Sequence, residues 1–291
     1  MYTTDEFVEK VILYGTLPDG RYTSQEIIDV AYDQLLTVVV PLIVSTNEEY
    51  YVRSEDQDIE SGVASYAIPY RALGMTLREV KLLAGDSVED LTRIGPEQVK
   101  TTTSGTPEAF YLKGLSVILY PTPNATQDSI QLSYFQTPAQ PVLVAAAAEI
   151  TDINRTTGVV TASIPTTWTT ADLFDLVSSK NGHDSKALDL TASAVSGTTI
   201  TFAAADIPTS IVVGDYVALA GQAPYFQCPD LCYRYLIQLT VNEFLQALGA
   251  QTELATGVAT ADRLLQGIMR VMSSRVVGAP KPFTIDPSIL R

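Results

Sequence analysis

A chain of 291 residues with one histidine, His183, and two cysteines, Cys228 and Cys232, holds few side-chain sets that could do chemistry. A nucleophilic triad needs a base and an orienting acid converging on one nucleophile. His183 lies in the turn sequence SSKNGHDS with Asp184 and Ser185 beside it. Sequence neighbours cannot all point at one reacting atom, so this is a surface turn. A structural zinc site needs four nitrogen or sulfur ligands. Cys228 and Cys232 stand four apart where a helix is expected to begin, on one face, with no further ligand near them in sequence. They read as small buried hydrophobes in a reducing compartment. Glu55, Asp56, Asp58 and Glu60, followed by Gly62, loosely resemble a calcium loop. The glycine comes one position late and no glutamate closes the loop, which leaves a solvated acidic loop. The glycines are scattered singly and mark turns, not a phosphate cradle. Among 33 acids no pair stands out for glycoside chemistry. Neither a catalytic set, a metal nor a cofactor is expected.

Composition narrows the classes further. An apolar fraction of 46% with 18% charged residues fits a folded chain, and its length allows two domains. The net charge is −15, and residues 1–60 carry thirteen acids against three bases. Such a field repels phosphate, and no basic helix or strand with interleaved aromatics offsets it. From Ala255 onward the sign reverses, with Arg263, Arg270, Arg275, Lys281 and Arg291 against Asp262 and Asp286. The longest aliphatic run, residues 35–44, is about half of what a bilayer span needs and contains Pro41. The first residues are acidic, so no signal peptide or membrane helix is expected, and synthesis is expected in a cytoplasm.

The elements that would carry these residues follow from periodicity. Thr4 can cap a helix with Asp5 and Glu6 in its first turn, and Phe7, Val8, Val11 and Ile12 form its apolar side. Thr23 and Glu26 form a capping box for a second helix that Pro41 should kink or end. Its outer side aligns Glu26, Asp29 and Asp33. Residues 49–136 lean toward strands, with a short helix expected over 87–93. Two apolar runs there, 108–119 and 129–135, alternate in the manner of a half-buried antiparallel hairpin or meander. In the second, Ile130, Leu132 and Tyr134 share one face. Residues 150–167 and 188–210 resemble each other, each with a strand, a glycine turn at Gly158 or Gly197, a return strand and Ile-Pro-Thr. They suggest an inserted β module. A helix over 229–250 aligns Ile237, Val241, Phe244 and Leu248, and is apolar over enough of its circumference to be buried on more than one side. An amphipathic helix over 260–272 precedes a tail with three prolines in its last fourteen residues. Extended from Ser274, the chain's end would reach about 60 Å. The fold class expected is therefore α+β: a helical-bundle core with an antiparallel β meander, an inserted small β-sandwich or barrel, and an extended C-terminal tail. The segments are 1–141, 142–223, 224–276 and 277–291.

Gly105-Thr106-Pro107, the run AFYLKGLSVIL, Tyr120-Pro121-Thr122-Pro123 and the strand SIQLSYF occur in that order. This order resembles the glycine, proline, strand, PTP, strand signature of the head-to-tail adaptor (connector) proteins of tailed bacteriophages. Residue-level likeness covers 105–138 and 222–229, and the layout extends it to 1–141 and 224–291. The resemblance implies a structural, non-enzymatic virion protein at the head-tail junction. Its partners would be the portal protein, the next tail component (a tail or nozzle protein) and copies of itself in a dodecameric ring. Viral DNA would pass without specific binding, and no membrane is involved. The implied docking segment on the portal holds Arg270, Arg275, Lys281, Phe283, Ile285 and Arg291. Ile237, Val241, Phe244 and Leu248 would form the subunit interface, and Glu26, Asp29 and Asp33 would face the channel. The inserted module is not general to such adaptors. Alternatives are another virion or tail structural protein, a carbohydrate-binding adhesion module, for which fifteen tyrosines and the β module speak, and a hydrolase using two facing carboxylates.

Overall fold

The computed structural model describes residues 2–272 apart from Asp19, Glu48, Asp86, 100–103, Gln127 and 181–183. The expected tail at 277–291, with Arg275 and the rest of its docking residues, lies outside the described residues, as does His183. The expectation of a helical-bundle core is corrected. Among the described residues the chain is mostly β, with nineteen strands in five sheets. Only four helices accompany them: α1 (Thr4–Gly15), α2 (Ser24–Thr46), α3 (Asp230–Leu248) and α4 (Gln251–Met272). The helices carry the strong sequence periodicity. Many of the strands are only two to five residues long, too short to show a period of two.

The four helices share one apolar cluster. In α1, Thr3 rather than Thr4 caps the helix, forming a capping box with Glu6. Thr4 is buried, and its Oγ1 donates to the Val142 carbonyl at 2.6 Å. In α2, Thr23 and Glu26 form the capping box that the sequence predicts: Glu26 N–H donates to Thr23 Oγ1 at 3.2 Å and Thr23 N–H to Glu26 Oε2 at 2.7 Å. Pro41 neither ends α2 nor stops its hydrogen bonding. It brings no donor, and its ring crowds the carbonyl four residues back. A π segment at Leu35–Val39, where Val40 N–H bonds the Leu35 carbonyl, widens the turn ahead of it and takes up both defects. The uninterrupted α2 is thus 23 residues, long and apolar enough to cross a membrane by length and composition. Within the chain its Ile27, Ile28, Ala31, Leu35, Val39, Val40 and Ile43 are all fully covered by the helical cluster.

Residues 52–136 build two four-stranded sheets that close over a common cluster. The sequence-level hairpin is corrected here. The first apolar run is itself a hairpin, Ala109–Lys113 against Ser116–Tyr120, folded at Gly114, whose φ of 61° suits glycine. The second run does not pair with it. Ser129–Gln136 joins the other sheet between Val52–Asp58 and Ala72–Ala84. The helix expected over 87–93 is also replaced, by the strands Ser87–Asp90 and Thr92–Arg93. Val88 and Leu91 stand at a helical spacing, yet Leu91 N–H bonds the Val80 carbonyl across the sheet.

Residues 148–219 form a seven-stranded antiparallel sheet with its own core around Trp168, Phe174, Ile200 and Phe202. Its two edge strands, Ser185–Thr191 and Ala194–Val195, are consecutive in sequence. The turn at Gly158 has φ 73°, and a Cβ there would meet the Phe202 carbonyl oxygen at 2.1 Å, so glycine is required on both counts. The chain enters and leaves this unit through Gln140–Pro141 and Gln222–Ala223, which run side by side as a parallel pair.

Candidate functional site

The densest polar constellation lies where the 148–219 unit meets the 52–136 sheets. Arg71, in the loop before Ala72–Ala84, donates Nη1 to Asp175 Oδ2 at 2.7 Å and Nη2 to Asp175 Oδ1 at 2.9 Å. Nη2 also reaches Asp189 Oδ1 at 2.7 Å, and Nε donates to Tyr70 Oη at 2.9 Å. Tyr70 Oη in turn donates to Asp189 Oδ1 at 2.5 Å. Arg71 is 7% exposed, Asp175 0% and Asp189 31%, so the central pair sits in a nearly dry seam. Asp175 also accepts from Asp189 N–H at 3.0 Å and Gly221 N–H at 2.9 Å, which accounts for its remaining lone pairs. Burial alone would pull the Arg71 pKa down. Hydrogen bonds to Asp175 and Asp189 more than reverse that, so the guanidinium is held charged, above its usual range.

Beside this network Arg53 Nη1 donates to the Ser185 carbonyl at 2.8 Å, and Gln227 Nε2 donates to Ser185 Oγ at 2.9 Å. A cavity of about 170 Å³ lies there, lined by Tyr50, Tyr51, Val52, Arg53, Gln136, Pro138, Asp184 and Gln227. The Tyr50 hydroxyl is buried without a hydrogen-bond partner among the described residues, and burial pushes its pKa far up. A polar hollow of this size accommodates water molecules. A second hollow of about 380 Å³ holds Glu55 and Asp189, but Asp189 Oδ1 is already engaged by Arg71 and Tyr70. An open groove of about 660 Å³ runs between the end of α1, α3 and the start of α4.

The residues singled out by sequence fall in separate places. Glu26, Asp29 and Asp33 are exposed along α2. Hydrogen bonds from Thr23 hold the Glu26 carboxyl below the usual carboxylate range, and Asp29 accepts from Gln25 at 2.8 Å. Ile237, Val241 and Phe244 are buried in the chain's own helical cluster, and Leu248 is half-buried against it. Their apolar area is spent within one copy, which leaves little for a neighbour at those positions. Arg270 is exposed in the last turn of α4. Cys228 and Cys232 are fully buried and reduced; burial raises both thiols, Cys232 to about 12. Asp184 is exposed and paired with Lys186 at 3.0 Å, while Ser185 is buried. The acidic segment read as a loop is mostly a strand: Asp56 accepts from Gln131 at 2.9 Å and Asp58 from Ser129 at 3.1 Å. No group of three acid, histidine or cysteine side chains among the described residues could hold a metal. Of the fifteen tyrosines only Tyr14 and Tyr70 are exposed, and each ring lies against an arginine, Arg234 and Arg71.

The sequence reading missed Arg71, Asp175 and Asp189. The signal was present: AIPYRALG and LFDLV each place one charge inside an apolar run, and such a charge requires a partner when the run is buried. No protein-family model matches this chain, and no curated protein matches it significantly.

Proposed function

We propose that this chain is a structural subunit of a tailed-phage particle, forming a dodecameric ring that joins the capsid portal to the tail and lines the path of the viral DNA. The observation that carries the reading is the exposed row Glu26, Asp29 and Asp33 on a helix whose opposite side is wholly buried. On a chain of net charge −15, a rigid acidic wall lets duplex pass without the counterion release that would make it stick. The glycine, proline and strand signature over 105–138 supports the same reading. Partners are the portal protein, the next tail or nozzle component and further copies of the chain, and the reading requires neither cofactor nor membrane. The basic tail with Arg275, Lys281, Phe283, Ile285 and Arg291, continuing from Arg270, docks on the portal and adds interface as it does so. With Ile237, Val241 and Phe244 committed internally, contact between copies falls to apolar side chains that stand out from the helices, such as Leu13, Val258 and Val271.

Mass photometry of the purified chain, alone and with a portal ring, tests the reading. The chain is expected to add to the ring in a defined number of copies. Removing residues 277–291 is expected to abolish that addition while leaving the melting temperature unchanged. A chain that never joins a portal ring at micromolar concentration overturns the assignment, and a truncated chain that still joins it overturns the role of the tail.

A further inference from the structure

Besides the bonds from Arg53 and Gln227 to Ser185, three kinds of attachment hold the 148–219 unit to the rest of the chain. The first is the neck, where Gln140 N–H bonds the Gly221 carbonyl at 2.8 Å and Val142 N–H the Ala223 carbonyl at 2.9 Å. The second is a small apolar seam of Ala139, Ala147, Val177, Tyr216, Ala218, Ala223 and Tyr225. Four of these seven are alanines, which bury little area, and the one directional contact is the Tyr216–Tyr225 ring pair, edge-on at 5.4 Å, so the seam constrains the angle more loosely than a bidentate ion pair does. The third is the Arg71 network, and it differs in kind. A planar guanidinium meeting a carboxylate through two parallel bonds fixes both distance and orientation.

Asp175 ties the third attachment to the first. Its carboxylate takes the Arg71 fork and also the Gly221 N–H of the neck at 2.9 Å. Asp189 backs the arrangement from the unit's edge strand with a φ of 56°, a left-handed conformation that an aspartate holds at some cost. That conformation aims its backbone N–H at Asp175 and its carboxylate at Arg71 and Tyr70. Both oxygens of Asp175 therefore meet the Arg71 fork across the junction between two units whose apolar cores are separate.

We propose that Arg71 with Asp175 and Asp189 is an orientation latch, which holds the 148–219 unit at one angle on the body and whose release lets the unit swing about the Gln140–Pro141 and Gln222–Ala223 neck. The proposal is independent of the phage reading, since it concerns one chain by itself. Its functional content is that the distal loops of the unit are presented to a partner in a fixed direction.

Spin labels at Asp90→Cys on the body and Ala205→Cys on the unit, in the full chain, read the angle as a distance distribution. The native thiols are buried, so labels go to the introduced sites. With Arg71 intact a single narrow distribution is expected. Arg71→Met should broaden it or add a second population, while the near-ultraviolet signal of Trp168, the chain's one tryptophan, stays native. Tyr70→Phe, which removes the two outer bonds to Asp189 and Arg71 Nε but leaves the fork, should broaden it less. A narrow, unshifted distribution in Arg71→Met with Trp168 still native overturns the latch. If Arg71→Met loses the Trp168 signal, Arg71→Lys decides in its place: it keeps a cation in the seam but cannot form the two parallel bonds to Asp175, so broadening supports the latch and an unchanged distribution overturns it.

Discussion

Arg71 and Asp175 meet at 2.7 Å in a nearly dry seam, whereas Glu26, Asp29 and Asp33 stand in solvent along α2. The two sets differ in what their charges are used for. In the seam each charge has a fixed partner and both oxygens of Asp175 are engaged, so the charges act as geometry. On α2 the carboxylates stand in solvent with no cationic partner among the described residues, so they act as a field. A buried pair adds little net stability over apolar residues of the same shape, but half of one is very costly. A solvated row costs little to remove and contributes chiefly at a distance. A strongly acidic chain can thus still enclose a cation paired in its interior.

The comparison is broken most sharply at Asp175. Asp175→Asn keeps the shape but takes the charge from beneath Arg71, and should cost about 3–5 kcal/mol, the range for splitting a buried pair. Urea unfolding followed by Trp168 fluorescence measures it, and the loss should hardly change between low and high salt. A loss below about 1 kcal/mol would mean that the seam is wet and the charges there behave like surface ones.

A smaller effect is expected at the cap of α2. Thr23→Ala removes the hydroxyl, the lesser of the two Thr23 donors that hold the Glu26 carboxylate, keeps the Thr23 N–H bond, and should cost about 1 kcal/mol. It also changes the response to pH. Because the folded Glu26 pKa lies below its ordinary value, its contribution is present above the ordinary carboxylate range and is lost as pH falls through the folded pKa. The difference between wild type and Thr23→Ala should therefore narrow toward low pH in paired thermal melts, and a difference that widens there would contradict the hydrogen-bond account.

The smallest effect belongs to the rest of the row. Asp29→Asn with Asp33→Asn should shift stability by less than about 0.5 kcal/mol, in the stabilising direction, because like charges four apart on a helix repel. The shift should vanish in high salt. A loss of several kcal/mol would show that these carboxylates have structural partners and would remove the distinction drawn above.

What could be read in the sequence was local. The Thr23 and Glu26 capping box, the glycine turn at Gly158 and the helix ending at Gly249 are set by residues within a few positions of one another. Partner choice between strands was not legible. Ser129–Gln136 alternates cleanly, yet nothing in that alternation says it will pair with residues some seventy positions earlier instead of with the adjacent hairpin. The start of α4 was hidden for another reason: TELATGVA has few large apolar side chains. Gly257 there lets α4 approach α3 so closely that a Cβ would meet Asn242 Oδ1 at 2.2 Å, a helix contact made by smallness and invisible to hydropathy. The latch was written as two lone charges in apolar runs about a hundred residues apart, and only the fold joins them.

The parallel run of Gln140–Pro141 beside Gln222–Ala223 gives the 148–219 unit the topology of a cassette. Its entry and exit strands touch, so a short glycine loop could close the gap if the whole unit were cut away, and units of other sizes could be spliced in without redrawing the rest. Such grafting would leave Arg71 as an orphan cation on the scar, so any shortened descendant of this chain is expected to carry an apolar or small residue at that position.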